Sequence, residues 1–452
     1  MKIVIAGAGE VGSYLAEVLS GDGHDISVID SDPDRIDRIS STADIVAVEG
    51  NPSSIDTLKK SGISNADLFI AVYPSESQDI NVVSAILAKK LGAKQVSARV
   101  NHEEYLSYDS RYIFTEMGID LLFYPEKIAA NEIVELLNHS SASNMVDFAR
   151  GMLQMVVFNL DENSPVIDTS LKDFAESNSS LSDEFRIVAV SRDEQTIIPS
   201  FDYRFKYRDR LFIIATREAI SSITQIVGKS NLEVKNVIMM GGSHTGEMVA
   251  RILAGTMDNL KIIDNDRDRC GILSETLPSN VQIINGDARN TNLLIDEDIR
   301  NCDAFIALTE SAETNILACV AAKKLGVSRT IAKVENLEYI PLAEGMGVDA
   351  IVNKKLITAS RILKFTLSDK VRSVKYMGGT SAEIIEFTVV PGSRITKAPL
   401  KELDFPRNAI IGGVIRGSES FIAVGATQIQ AYDRVAVFAL SESVQEVDRW
   451  FK

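Results

Sequence analysis

The chain has 452 residues, of which 45% are apolar and 24% are charged, as is typical of a globular protein with more than one domain. Its formal net charge of −16 argues against nucleic acid and anionic membrane surfaces as direct partners. Three cysteines without a CxxC spacing indicate a reducing compartment and no disulfide framework. Since no apolar run approaches the roughly 20 residues of a membrane span and the chain opens on a predicted strand, we expect neither a membrane anchor nor a signal peptide.

A nucleotide-binding motif follows the first predicted strand. Apolar residues 2–6 lead into Gly7, Gly9 and Gly12 with the spacing GxGxxG, and a helical pattern begins immediately afterwards. In a dinucleotide-binding βαβ unit the first glycine permits a tight turn, the second lets the backbone approach a pyrophosphate, and the third lets the helix pack closely on the strand. The unpaired N–H groups and positive dipole end of that helix favour a phosphate at the same place.

An acidic residue ends the second predicted strand. Residues 24–29 form a buried strand pattern that stops on Asp30, whose carboxylate can accept hydrogen bonds from ribose hydroxyls. The same negative charge would repel a 2′-phosphate, so NAD-type or adenine ligands are favoured over NADP. The alternative is a βαβ unit that folds in this way and binds nothing.

Further strands complete a doubly wound unit up to about residue 138. They are predicted at residues 45–48, 67–72, 94–100 and 117–122, and a helix follows from Pro125 to Leu137. In such sheets the ligand lies outside the carboxyl ends of the strands. Tyr73, Pro74 and Arg99 fall at such ends, and Asn51 follows the third strand.

The pattern changes between residues 144 and 228. Three segments there are rich in strand-forming residues, at 152–159, 185–190 and 210–215. The segment has no glycine loop and no recognisable catalytic set. It therefore predicts a small α+β module.

The chain then repeats itself. Residues 236–246 copy the opening motif, and both Gly241 − Gly7 and Asp264 − Asp30 equal 234. Strand patterns at 384–389, 409–416 and 434–439 then repeat the small module. The sequence therefore predicts a tandem duplication in which two Rossmann-like doubly wound parallel-sheet domains are each followed by a small α+β domain.

This duplicated plan resembles the cytoplasmic regulatory subunit of Trk-type potassium uptake systems, the TrkA family. The resemblance is carried by residues 7–12, Asp30, Arg99, the helical pattern at 315–326 and the terminal segment 410–416, and it covers essentially the whole chain. Each half looks like an RCK (regulator of potassium conductance, or KTN) nucleotide-binding domain followed by a TrkA-C domain. The implied domain boundaries are 1–140, 141–228, 235–368 and 369–452.

The resemblance implies a cytoplasmic protein at the inner face of the plasma membrane, beneath a membrane-embedded Trk-type potassium transporter subunit. Its nucleotide-binding domains would form a homo-oligomeric ring, a tetramer of tandem chains, and NAD(H) or ATP/ADP would change the ring's shape and gate the pore. It implies no catalytic residues and no metal site. The implied ligand-binding residues of the first half are Gly7, Ala8, Gly9, Glu10, Val11, Gly12, Asp30, Asn51, Tyr73, Pro74 and Arg99. Those of the second half are Gly241, Gly242, Ser243, His244, Thr245, Asp264, Thr309 and Lys333.

Departures from the family pattern leave some of these roles open. Tyr73 and Pro74 stand where the family has small polar residues, so we expect ring stacking in place of hydrogen bonding. In the second half, Ser243 replaces the middle glycine and hinders the approach of backbone to a pyrophosphate. Lys333 stands where the first half has Arg99, and its ammonium recognises phosphate with less planar geometry than a guanidinium. The second half therefore either binds nucleotide or is a degenerate half kept for ring assembly.

Two other functions share some of these features. An NAD-dependent oxidoreductase would need a substrate domain and a proton donor beside the nicotinamide, and the small modules offer no such arrangement. A regulator of another RCK-coupled channel or exchanger would share the same domains. The four histidines, His24, His102, His139 and His244, have no metal-ligand spacing, so we expect loop or surface roles for them.

Overall fold

The computed structural model describes residues 1–21, 23–74, 77–138, 144–148, 151–181, 183–192, 195–229, 233–363, 371–376 and 382–452. His139 lies outside these residues. Within them, no helix combines the length and the apolar character that a membrane crossing requires.

The first α/β domain is built on a parallel sheet. Its strands are β1 (Lys2–Ala6), β2 (Asp25–Asp30), β3 (Val46–Glu49), β4 (Leu68–Ala71), β5 (Gln95–Arg99) and β6 (Leu121–Phe123). Its helices are α1 (Glu10–Gly21), α2 (Pro33–Thr42), α3 (Ile55–Lys60), α4 (Gln78–Leu91), α5 (Tyr108–Glu116) and α6 (Pro125–Asn138). The strands pair in the order β3-β2-β1-β4-β5-β6. Because the order reverses between β1 and β4, the carboxyl ends of these two strands frame the crevice where such sheets take ligands.

The sixth strand is shorter than predicted. The sequence analysis placed a strand at 117–122, but Met117 caps helix α5 and Gly118 adopts a φ of +96°. Backbone in that left-handed region cannot continue as strand, so β6 starts only at Leu121. Apolar residues that end a helix were therefore wrongly assigned to the strand that follows it.

The first small domain is an antiparallel sheet with two short helices. It contains β7 (Asn144–Phe148), β8 (Leu153–Asn159), α7 (Leu171–Ser177), β9 (Phe185–Arg192), β10 (Gln195–Ile197), β11 (Arg210–Thr216) and α8 (Ile220–Ile226). The sheet order is β10-β9-β11-β8-β7. Val156, Phe158 and Ile213 are fully buried in one of its cores.

The second α/β domain repeats the first. Its strands are β12 (Asn236–Met240), β13 (Asn259–Asp264), β14 (Val281–Asn285), β15 (Ala304–Ala307), β16 (Arg329–Lys333) and β17 (Ala350–Val352). Its helices are α9 (His244–Leu253), α10 (Arg267–Thr276), α11 (Thr291–Asp296), α12 (Ala312–Lys324), α13 (Tyr339–Gly345) and α14 (Lys354–Leu363). The strands pair in parallel in the order β14-β13-β12-β15-β16-β17, which is the order of the first sheet.

The second small domain repeats the antiparallel sheet. It contains β18 (Val371–Tyr376), β19 (Ala382–Thr388), β20 (Ala409–Arg416), β21 (Glu419–Ile422), β22 (Arg434–Leu440) and α15 (Val444–Asp448). Its order, β18-β19-β22-β20-β21, matches that of the first small domain strand for strand. The predicted fold, a duplicated pair of a doubly wound domain and a small α+β domain, is thus confirmed, while the exact domain boundaries stay a prediction.

The chain divides into two compact units that do not follow its order. One unit consists of Met1–Ala129 with Lys354–Thr366, and the other of Ala130–Asn353 with Leu367–Lys452. In the first unit, α14 of the second half packs against α1, and Lys355 Nζ lies 3.6 Å from Glu10 Oε1. A helix encoded by the second half therefore completes the first α/β domain.

The two small domains share one core within the second unit. The rings of Phe212 and Phe438 lie 5.6 Å apart, and both are fully buried in a cluster drawn from the two sheets. The hydroxyl of Ser420 donates to the carbonyl of Met152 at 2.9 Å. Gly412 permits this approach, because a Cβ there would lie 2.1 Å from Ile214 Cδ1.

We expect Gly412→Val to lower the free energy of unfolding of the paired small domains by about 2 kcal/mol, because the added methyls overpack a filled interface. The buried single tryptophan, Trp450, reports on this region, so urea unfolding followed by its fluorescence measures the loss. Gly271→Ala in α10 is the control: a Cβ there meets nothing within 4 Å, and alanine favours a helix. Equal midpoints for Gly412→Val and the unmodified chain would contradict the packing argument.

Candidate functional site

Two of the three motif glycines in the first half are required by the protein's own packing. Gly7 has a φ of +113°, and its N–H donates to the carbonyl of Ile29 at 2.8 Å. A Cβ on Gly12 would lie 1.8 Å from the carbonyl oxygen of Gly7, so only glycine lets α1 start there. A Cβ on Gly9, in contrast, would meet no protein atom within 4 Å. Protein packing therefore does not explain Gly9, whereas the close approach of a ligand would.

The remaining loop residues lie at the start of α1. Ala8 and Val11 are buried, and Glu10 is the exposed first residue of the helix. The N–H of Ala8 donates to Asp30 Oδ2 at 2.6 Å, which connects the loop to the end of β2. The loop before the helix and the acid at the end of β2 are thus held beside one another.

The carboxylate of Asp30 is buried, with 1% of the residue exposed. Its Oδ2 accepts the N–H of Ala8, and its Oδ1 accepts the N–H of Asp32 at 2.9 Å. Asn51 is exposed beyond the end of β3, and its side-chain oxygen accepts the N–H of Ser53 at 2.8 Å. Asp30 is fixed at the mouth of the crevice, and Asn51 caps its own turn.

Tyr73 lies two positions after the end of β4, and its side chain reaches across the crevice. Its backbone N–H donates to the side-chain oxygen of Asn81 at 2.8 Å, and its hydroxyl accepts the N–H of Ser31 at 3.0 Å. Burial raises the pKa of the Tyr73 phenol and the charge on Asp30 adds to the rise, so the phenol is neutral at physiological pH. Pro74, which follows it, is half-buried.

Arg99 ends β5 and is paired with a carboxylate. Its Nη2 lies 2.8 Å from Oε1 of Glu126 in the first turn of α6, and Nζ of Lys354 lies 3.4 Å from the same oxygen. The Arg99 and Glu126 side chains are 12% and 11% exposed. Among the described residues, Arg99 Nε and Glu126 Oε2 have no hydrogen-bond partner. This cluster of Arg99, Glu126 and Lys354, the Arg99 cluster below, therefore keeps spare hydrogen-bonding capacity.

The glycine turn of the second half is built in the same way. Gly241 has a φ of +98°, and its N–H donates to the carbonyl of Ile263 at 2.9 Å. The N–H of Gly242 donates to Asp264 Oδ2 at 2.6 Å, the counterpart of the bond between Ala8 and Asp30. Ser243 caps α9: its hydroxyl accepts the N–H of Gly246 and donates to the carbonyl of Leu308 at 3.1 Å.

The other predicted residues of the second half are more scattered. His244 is exposed at the first position of α9, and Thr245 is buried. Thr309 donates to the Asn315 side-chain oxygen from its N–H at 3.0 Å and from its hydroxyl at 2.7 Å. Lys333 is 4% exposed and lies 2.8 Å from a carboxylate oxygen of Glu310. The structure thus brings Gly242 and Asp264 together, whereas His244 points to solvent.

Three charged residues at the candidate sites were missed by the sequence analysis. Arg269 in α10 donates from Nε to the carbonyl of Gly242 at 2.5 Å and from Nη2 to Glu247 in the first turn of α9 at 2.8 Å. The repeat would have revealed it, since Arg269 − Arg35 equals 234 and Arg35 Nη1 lies 3.8 Å from Asp30 Oδ2. Glu126 gave no comparable signal, because an acid in the first turn of a helix is common.

Comparison with known proteins relates these domains to a family. The sequence matches the TrkA-N domain at residues 3–125 and 237–354 and the TrkA-C domain at residues 155–228 and 384–452. A "Trk system potassium uptake protein TrkA homolog" of Archaeoglobus fulgidus is 34% identical over 100% of both chains. The Trk system potassium uptake protein TrkA of Halomonas elongata is 29% identical over 100% of this chain and 99% of its own.

Solved structures share the fold over the same length. The GsuK RCK domain superposes with a TM-score of 0.61 at 14% identity, covering 99% of this chain and 94% of its own. The GsuK channel bound to NAD gives a TM-score of 0.60 at 15% identity, covering 100% of this chain and 78% of its own. At these identities the likeness shows a common fold.

Proposed function

Because this chain belongs to the TrkA family of Trk potassium uptake proteins, we propose that it is the nucleotide-sensing regulatory subunit of a Trk-type potassium uptake system. Its partner is a membrane-embedded potassium transporter subunit, which it meets at the cytoplasmic face of the membrane. The observation that supports this most is the pair of glycine turns in one chain, each hydrogen-bonded to a carboxylate at the end of the neighbouring strand. The protein makes and breaks no covalent bonds in this role.

The proposed ligands are NAD(H) and the adenine nucleotides ATP and ADP. The space beside Gly9 and the N-terminus of α1 fit a diphosphate, and Asp30 fits a ribose while disfavouring a 2′-phosphate. In the second half, the hydroxyl of Ser243 is hydrogen-bonded to the protein backbone. The proposed contacts with nucleotide there are therefore made by Gly242 and Asp264. A GsuK channel of the same fold has been solved with NAD, which agrees with this ligand class.

The Arg99 cluster supplies a route from ligand to domain arrangement. A ligand phosphate that reaches Arg99 competes with Glu126, in the first turn of α6, for the charge-assisted hydrogen bonds of Arg99 and of Lys354, which starts α14. Lys354 belongs to the second half of the chain but to the first compact unit. A ligand shifts the equilibrium between two domain arrangements only by its differential affinity for them. The competition for Arg99 is the proposed source of that difference, and it couples nucleotide binding to domain arrangement.

Ring assembly is supported by an exposed apolar surface that occurs twice. In the first domain α4 and α5 expose Val83, Tyr108, Tyr112 and Ile113. In the second domain, α12 and α13 expose Leu317 and Leu342, which lie 234 residues after Val83 and Tyr108 respectively. A second copy of this chain is the occupant we propose, because a surface repeated within one chain can close a ring, here of four chains.

We expect Ile113→Asp to shift the protein toward single chains, because a charge in an apolar contact costs several kcal/mol when buried. Sedimentation velocity measures the change in mass. Ile55→Asp is the matched control, since Ile55 is 47% exposed against 52% for Ile113 but lies on α3. If both variants sediment like the unmodified chain, α5 is not an assembly surface.

The proposed function is tested with purified full-length chain and four nucleotides: NADH, NAD, ADP and ATP. Calorimetry gives the stoichiometry per chain, and potassium flux through the reconstituted transporter gives the response. We expect Arg99→Gln to weaken ATP binding and blunt the flux response, because a phosphate partner is removed. Failure of all four nucleotides to bind would refute the proposal, and hydride transfer from NADH to an added substrate would favour an oxidoreductase.

A further inference from the structure

The two halves of the chain differ in how far their ribose acid is exposed. Asp30 is 1% exposed, whereas Asp264, its counterpart, is only half-buried. Both carboxylates accept the N–H of a loop residue and the N–H two positions further along the chain. The backbone around the two acids is therefore the same, and something else covers Asp30.

Arg35 contributes to this cover, since its Nη1 lies 3.8 Å from Asp30 Oδ2, and so does the residue two positions after the end of β4. The Tyr73 ring lies on the glycine turn, with Cδ2 3.1 Å from the position of a Cβ on Gly7, and its hydroxyl bonds the N–H of Ser31 just beyond Asp30. Tyr73 itself is 6% exposed. Its side chain thus spans the crevice from the first glycine to the residue that follows the ribose acid.

Thr309 holds this position in the second half. The backbone N–H of Tyr73 and that of Thr309 each bond the side chain of an asparagine, Asn81 and Asn315 respectively. The Thr309 hydroxyl turns to Asn315 at 2.7 Å and does not reach toward the crevice. The same backbone position therefore carries a long aromatic side chain in one half and a short one in the other.

We propose that Tyr73 is a built-in competitor of nucleotide at the first glycine turn, with its phenol occupying the place beside Asp30 that ribose hydroxyls need. This inference rests on the proposed function and adds a difference between the two sites. A nucleotide enters the first site only after the Tyr73 ring has moved out, whereas Thr309, at the same place in the second half, turns its hydroxyl away from the crevice. One chain would then respond at two nucleotide concentrations.

The cost of moving the ring sets the size of the effect. The N–H of Ser31 loses its bond to the phenol, but Ser31 is exposed and water replaces it. The ring also loses its buried contact with the glycine turn. Because of that loss, the closed state, in which the ring lies in the crevice, dominates over the open state without ligand. A closed population about ten times the open one lowers the apparent affinity roughly tenfold. The sign is opposite to that of a stacking residue, whose removal weakens binding.

The test is calorimetric titration of the full-length chain with ADP. The Gly9→Val variant identifies the first site, because a Cβ there meets no protein atom within 4 Å and the added side chain fills the ligand's approach. We expect Tyr73→Thr, which copies Thr309, to tighten the Gly9-dependent binding roughly tenfold, and Tyr73→Phe about threefold. The reciprocal Thr309→Tyr variant should weaken the other binding event by a similar factor.

The outcomes separate this inference from the proposed function. Unchanged or weaker Gly9-dependent binding in Tyr73→Thr would overturn the competitor role while leaving nucleotide sensing in place. If Tyr73→Thr fails to fold, Tyr73→Phe, which keeps the ring, decides by the same criterion. If none of these proteins shows ADP binding that is lost on Gly9→Val substitution, the proposed function at this site is overturned. The inference about Tyr73 is then overturned with it.

Discussion

Gly12→Ala is expected to displace the start of α1 from the glycine turn and to lower the local stability of the first α/β domain by about 3 kcal/mol. The added Cβ would lie 1.8 Å from the carbonyl oxygen of Gly7, a backbone atom that cannot rotate away. Relief requires the loop or the helix to shift, and overpacking of this kind costs about 1–3 kcal/mol or more. Because the chain has several domains, a single unfolding free energy is not defined, so hydrogen exchange of peptides covering residues 2–21 is the appropriate measurement.

Two matched substitutions show whether this loss is steric. Gly9→Ala places its Cβ in open space, so we expect exchange rates near those of the unmodified chain and a loss of nucleotide affinity alone. Gly246→Ala, the counterpart in the second half, would bring its Cβ to 2.5 Å from the carbonyl oxygen of Gly241 and should cost less than Gly12→Ala. Equal protection of α1 in Gly12→Ala and Gly9→Ala would show that the close approach does not constrain the fold.

The sequence predicted the elements of the first domain because local patterns determine them. The buried strand before Gly7, the turn that needs a positive φ and the amphipathic helix after it follow from nearby residues, and the offset of 234 carried the same assignment to the second half. The predicted start of β6 was wrong because an apolar residue such as Met117 and a small residue such as Gly118 occur in helix caps as well as in strands. Composition alone does not separate those two states.

Side-chain partners were not predictable in the same way. Arg99 was expected to meet phosphate, and the structure pairs it with Glu126, 27 residues away, whose carboxylate also meets Lys354, 255 residues from Arg99. For Tyr73, stacking on a ligand stays a prediction, and the contact of its hydroxyl with the N–H of Ser31, just beyond the end of β2, had no signal in the sequence. Such contacts depend on where α14 and the β4 loop are placed in three dimensions, and no periodicity in the sequence encodes that.

Glu126→Gln is expected to destabilise the first compact unit by about 3 kcal/mol, because Arg99 is left largely buried with a neutral partner. Pulse proteolysis in urea measures the loss. Adding Arg99→Met to Glu126→Gln should recover most of it, since the uncompensated charge is then gone. Glu176→Gln is the control: its pair with Lys172 is 3.9 Å long and exposed, so we expect a change of at most about 0.5 kcal/mol.

The same variant distinguishes a structural ion pair from a site that exchanges its partner for phosphate. If a ligand phosphate takes the place of Glu126, saturating ATP should stabilise Glu126→Gln by more than it stabilises the unmodified chain, because binding supplies the missing negative charge to Arg99. The Glu126→Gln substitution also removes the competing carboxylate, so both effects act in the same direction. Equal stabilisation of the two proteins by ATP would mean that the phosphate never reaches Arg99, and coupling through α6 and α14 would then lack its proposed source.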